Sequence, residues 1–134
     1  MQFNTLRPEP LAASTPFNQA KEALLELQRE RRQLRASLVP YQARRDALYA
    51  QRQQLADEIE KVELYCFFVG KAGQDVLREK QDEYNACEKQ YLDAHNEYAN
   101  IKNKVDIRII DINIKVKRCK EKIEKLSRQV AREK

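Results

Sequence analysis

Two interleaved rows of mostly apolar residues, each repeating every seven positions, run from Phe17 to Val69. One holds Phe17, Leu24, Arg31, Leu38, Arg45, Arg52, Ile59 and Cys66; the other holds Ala20, Leu27, Leu34, Tyr41, Leu48, Leu55, Val62 and Val69. A period of 3.5 residues marks a helix that packs along one stripe, so the pattern predicts helix 1 over residues 17–67. Thr15 suits the N-cap and Pro16 the first turn. Pro40 lies inside the run but off both rows. The register is the same on either side of it, which reads as a kink rather than a boundary.

The period breaks across Tyr65 to Gln74, where both glycines of the chain, Gly70 and Gly73, are found. Glycine is a frequent helix stop, and the segment predicts a turn over 68–74, with one uninterrupted rod as the competing reading. Gly-Lys-Ala-Gly lacks the spacing of a phosphate loop. Helix 2 is expected over 75–132. Its rows begin with Leu77, Tyr84, Tyr91, Tyr98 and Val105, interleaved with Cys87, Ala94 and Ile101. They continue through Ile109, Ile112, Val116, Cys119, Ile123, Leu126 and Val130. The two four-residue steps from Ile101 to Val105 to Ile109 amount to a stutter. The fold class expected is all-α: an antiparallel two-helix coiled-coil hairpin over 17–134, with an extended N-terminal arm over 1–16.

Charge supplies a check on that pairing. A turn at 70–73 sets residue i beside roughly residue 142 − i, placing Arg45 near Tyr98 and Arg52 near Tyr91. Residues 75–100 carry three basic and seven acidic side chains, and they would lie beside Arg44, Arg45 and Arg52. An arginine over a tyrosine ring with acids nearby explains charge on a seam, and it would help specify the register. Arginines that simply extend out of a loose seam are the other reading. The same pairing keeps Cys66, Cys87 and Cys119 apart, so no intrachain disulfide is expected.

The segment VDIRIIDINIKV, residues 105–116, holds seven β-branched aliphatics in twelve positions. Its local alternation is compatible with a strand. Helical pattern on both sides favours a helix with two opposed stripes. Val105, Ile109, Ile112 and Val116 would then face helix 1, leaving Ile107, Ile110 and Ile114 on the back. That back face needs another partner, either a second copy or a different subunit. A second docking candidate is the apex, where Tyr65, Phe67 and Phe68 cluster; those rings folding over the turn is the alternative.

Composition narrows the function classes. Charged residues make up 35% of the chain, and there are two glycines and no tryptophan, which suits long helices burying only a seam. Active sites are usually concave and apolar, so no enzyme is expected. No catalytic residues, no cofactor and no metal site are assigned. His95 has no partner at ligand spacing, and Ser, His and Asp form no catalytic pattern. The three cysteines contain no CxxC and read as apolar fillers in a cytoplasmic or other reducing compartment. The longest apolar run, Leu64 to Val69, is six residues against the ~20 that cross a bilayer. No membrane contact and no secretory signal are expected.

Residues 101–134 carry twelve basic and five acidic side chains. The hairpin would lay them beside RERRQLR, forming a basic end from Arg29, Arg31, Arg32, Arg35, Lys115, Lys117, Arg118 and Lys120. A solvated or protein-binding face is preferred to a nucleic-acid surface, since acids are interspersed and stacking aromatics are missing. Pro8, Pro10 and Pro16 make residues 1–16 an arm that could be tied down through Phe3, Leu6 and Leu11.

In length and charge the chain resembles the small helical-hairpin stalk proteins of flagellar and type III export machines, from which its prolyl arm departs. It is more distantly similar to prefoldin subunits, whose β-hairpins its ten-residue apex has no room for. Neither resemblance supplies site residues. The function expected is a non-enzymatic structural or adaptor subunit of a larger assembly, with other protein subunits or further copies as partners. The alternatives are a basic nucleic-acid-associated protein and a secretion-type stalk or chaperone.

Overall fold

The computed structural model describes residues 14–133, apart from the side chains of Ser14, Phe67–Val69, Ala72 and Glu133. Among the described residues there is no strand, and only Leu38 and Gly70 lie outside a helix. Three helices follow one another: α1 (Ser14–Ser37), α2 (Val39–Val69) and α3 (Lys71–Glu133). The protein is all-α. The arm residues Phe3, Leu6 and Leu11 lie outside the described residues, as do the side chains of Phe67 and Phe68. Of the segment expected to be extended, Ser14 to Pro16 is already helical.

The helix expected over 17–67 is two, meeting at Leu38. Pro40 stands in the first turn of α2 and has no N–H to offer a carbonyl four residues back, so one rung of the ladder is lost. Leu38 keeps right-handed helical angles (φ −78°, ψ −23°). The ladder resumes at once, with Gln42 N–H donating to the Leu38 carbonyl at 3.0 Å.

The connection between α2 and α3 is a single residue where seven were expected. Gly70 has φ +73°, a left-handed conformation that a side chain disfavours. Its N–H donates to the Cys66 carbonyl at 2.9 Å, and Gly73 N–H donates to the Gly70 carbonyl at 3.1 Å. Gly73 is therefore part of α3 and serves a different need. A Cβ there would stand 2.7 Å from Cys66 Sγ and 3.3 Å from Cys66 Cα, so its small size permits close approach of the two helix ends.

The chain divides into two compact units. One contains α1 as far as Arg35 and α3 from Val105 onward. Its buried residues are Ala20, Val105, Ile112 and Val116, with Ile112 fully enclosed. Leu24, Leu27, Leu34, Ile109, Cys119, Ile123 and Leu126 are half-buried. Polar links also join its helices. Arg31 Nη1 donates to Asn113 Oδ1 at 2.8 Å, and the Arg108 guanidinium donates twice to Glu30 Oε1, at 2.8 Å and 2.6 Å.

The other unit contains Ala36–Lys104, with Leu55, Cys87, Ala94 and Tyr98 buried. Arg45 stacks over the Tyr98 ring at 4.3 Å, and Arg52 over Tyr91 at 4.5 Å and Tyr49 at 5.1 Å. These are the tyrosines that the sequence set opposite the two arginines. Tyr91 also stacks with His95, centroids 5.9 Å apart, which leaves the lone histidine with a packing role. Arg44 pairs with Glu97 at 3.3 Å, and Lys80 with Glu58 at 3.1 Å. Arg44, Arg45, Arg52 and Lys80 each have a ring or an opposite charge within reach, and no buried polar side-chain atom among the described residues lacks a hydrogen-bond partner. Cys66, Cys87 and Cys119 are free thiols; Cys87 Sγ lies 3.7 Å from the Leu48 carbonyl.

Candidate interaction surfaces

The segment 105–116 is helical throughout. Its β-branched residues divide between two faces because a helix turns 3.6 residues per revolution. Val105, Ile112 and Val116 fall together on the buried side and Ile109 is half-buried beside them. Ile107 and Ile110 are each 61% exposed and Ile114 is 47% exposed. Spacings of three and four residues place these three in one row on the opposite side of α3. A row of aliphatic side chains in water forgoes the stabilisation of burial, about 1.5–3 kcal/mol for each large side chain fully covered.

The basic side chains expected at one end are sorted by their partners. Arg29 pairs with Glu26 at 3.0 Å, Arg31 with Asn113, and Lys115 with Asp111 at 3.0 Å. Asp111 also receives Arg108 at 2.9 Å. By contrast, Arg32, Arg35, Lys117, Arg118 and Lys120 make no ion pair among the described residues. All five are exposed. An open groove of about 410 Å³ is lined by Arg31, Lys117 and Lys120 together with Glu121 and Glu124. Its mixed charge suits a polar protein side chain as well as a phosphate. The interspersed acids are visible in the sequence, but their pairing is not: Glu30 and Asp111 hold Arg108 between them, and nothing in the heptad rows marks that link.

At the apex, Tyr65 is 58% exposed, and the neighbouring thiol of Cys66 is half-buried against Gly73. In the same unit the Lys80 ammonium is held above its ordinary value of 10.5, first by its hydrogen bond to Glu58 and then by the charges of Glu58 and Glu83.

Among the described residues, no group of three or more His, Cys, Asp or Glu side chains is arranged to hold a metal ion. No described helix is long and apolar enough to cross a membrane. No protein-family model, curated protein or solved structure matches the chain.

Proposed function

We propose that this chain is a non-enzymatic structural or adaptor subunit of a larger protein assembly. In this reading its helices form an antiparallel two-helix coiled-coil hairpin turned at Gly70. Within one unit the contacts of Arg45 with Tyr98, Arg52 with Tyr91 and Glu58 with Lys80 support that pairing, since the second partner's number falls as the first rises. Within the other, the Arg31–Asn113 and Glu30–Arg108 links join α1 to the part of α3 that such a turn sets beside it.

The observation that carries the functional reading is the outward row of Ile107, Ile110 and Ile114. Contiguous exposed aliphatics on an otherwise charged helix mark an interaction site. Tyr65 at the apex and residues Phe3, Leu6 and Leu11 of the arm are secondary contact candidates. The second reading, a basic nucleic-acid-associated coiled coil, draws on Arg32, Arg35, Lys117, Arg118 and Lys120, which are exposed and make no ion pair among the described residues. Phosphate binding leaves the isoleucine row unexplained, which is why it ranks below.

A photo-crosslinking residue at position 110, with position 100 as a polar control on the same helix, tests the choice in the native host. The adaptor reading expects protein adducts from position 110 that are absent from position 100. Nucleic-acid adducts from both positions would favour the second reading, and no adduct from either would contradict the first.

A further inference from the structure

We infer that the row Ile107–Ile110–Ile114 docks an amphipathic helix whose own apolar row is flanked by acidic residues. This rests on the adaptor reading and names the chemistry of its partner. The argument starts from charge on and beside that face. Asp111 is already held by Arg108 at 2.9 Å and Lys115 at 3.0 Å, and Asp106 has an intramolecular partner as well. Continuing the isoleucine row along α3 by steps of three and four residues reaches Lys117 and Arg118, then Glu121 and Lys122, then Lys125, all exposed; the four cations outnumber the one acid and make no ion pair among the described residues. The face is therefore apolar at its centre and positive at its C-terminal end. A complementary surface is apolar with carboxylates beyond it, and a straight helix with residues at i, i+3 or i+4, and i+7 presents that arrangement.

Two other occupants fit less well. A second copy using the same face brings a second Lys117 and Arg118 into the contact. A nucleic acid would meet the cations but leave the isoleucines in water, and the face has no aromatic ring on which a base could stack.

The test uses the full chain and two labelled synthetic helical peptides that share one leucine row. One is flanked by glutamates and the other by lysines, and a labelled DNA duplex is the third probe. Fluorescence anisotropy should show the glutamate-flanked peptide binding at least about tenfold more tightly than the lysine-flanked one, a preference that weakens with salt. Ile110→Glu and the pair Lys117→Glu with Arg118→Glu should each weaken that binding about tenfold or more, with helicity unchanged by circular dichroism. Equal binding of both peptides would overturn the inference, and so would unchanged binding of the glutamate-flanked peptide to Ile110→Glu. Self-association of the unmodified chain that Ile110→Glu abolishes would instead assign the face to a second copy. Duplex binding lost on Ile110→Glu would assign it to nucleic acid. Failure of the peptides alongside protein adducts from position 110 removes this partner chemistry and leaves the adaptor reading standing; failure of both removes the reading too.

Discussion

Ile110 and Ile112 are the same residue on the same helix, two positions apart, and they should respond very differently to truncation. Ile112 is 0% exposed and Ile110 is 61% exposed. Removing the buried side chain down to Ala loses the transfer energy of its methyl and methylene groups and leaves a cavity, together about 2–5 kcal/mol. Alanine returns up to ~0.7 kcal/mol of helix propensity, so Ile112→Ala should cost about 2–4 kcal/mol net. Ile110→Ala gains the same propensity and gives up only the covered minority of that side chain. It should stay within about 0.5 kcal/mol of the parent and lean towards greater stability. Guanidinium unfolding of the purified chain, followed by circular dichroism, measures both through the shift in midpoint at constant slope. An Ile110→Ala cost comparable to that of Ile112→Ala would mean that the outward row is covered in the folded chain. The interaction surface would then be lost from the account. A neutral Ile112→Ala would refute the division of residues 105–116 into two faces.

Four further outcomes follow from the other unit. A double-mutant cycle on Arg45→Ala and Tyr98→Ala should give a coupling of about 0.5–2 kcal/mol for the stacked pair, whereas the same cycle with Tyr98→Phe should give little, because the ring face that attracts the cation is kept. Gly70→Ala should cost about 1–3 kcal/mol through its positive-φ backbone alone (φ +73°, ψ −133°), since a Cβ there meets nothing within 4 Å. Gly73→Ala should destabilise through its clash with Cys66 Sγ and be partly rescued by Cys66→Ala, read from melting temperatures of the three variants. The Lys80–Glu58 pair should show its coupling at neutral pH and lose it in alkali. The folded value of Lys80 lies above 10.5, so the stabilisation is fully present below pH 10.5 and fades as the pH rises through the raised value. A coupling that persists unchanged through that range, measured by the Lys80→Met and Glu58→Gln cycle, would contradict the assignment.

The heptad rows were legible because a packed helix stripe imposes its period directly on residue type. Leu55, Cys87, Ala94, Tyr98, Val105, Ile112 and Val116 all lie on rows read from the sequence, and all are buried. The segment around Ile110 was legible for the same reason: flanking helical pattern outweighed its strand-like alternation. The two glycines were read as one signal, yet only Gly70 makes the turn. Gly73 answers to the bulk of Cys66 on the preceding helix, and a sequence does not announce such a close approach. Pro40 was read as a kink because the register survives it; register reports side-chain facing, whereas the helix is interrupted by a lost backbone hydrogen bond. Arg31 carried a seam position like Arg45 and Arg52, but its partner is Asn113 and not a tyrosine. Polar partners of that kind depend on side-chain reach and leave no periodic trace.

The central claim is that one chain folds back on itself so that α2 lies antiparallel to α3, and zero-length crosslinking between Lys80 and Glu58 tests it most directly. Their nitrogen and oxygen stand 3.1 Å apart, close enough for a carbodiimide to join them as an amide. The reaction is run on an equal mixture of unlabelled and ¹⁵N-labelled protein and read by peptide mass spectrometry. The account predicts Lys80–Glu58 crosslinks in which both peptides carry the same label, because the partners belong to one molecule. Lys80–Glu58 crosslinks of which about half join differently labelled peptides would mean that two chains supply the pair, and crosslinks joining like-numbered segments of two chains would mean a parallel association of extended helices; either would contradict it.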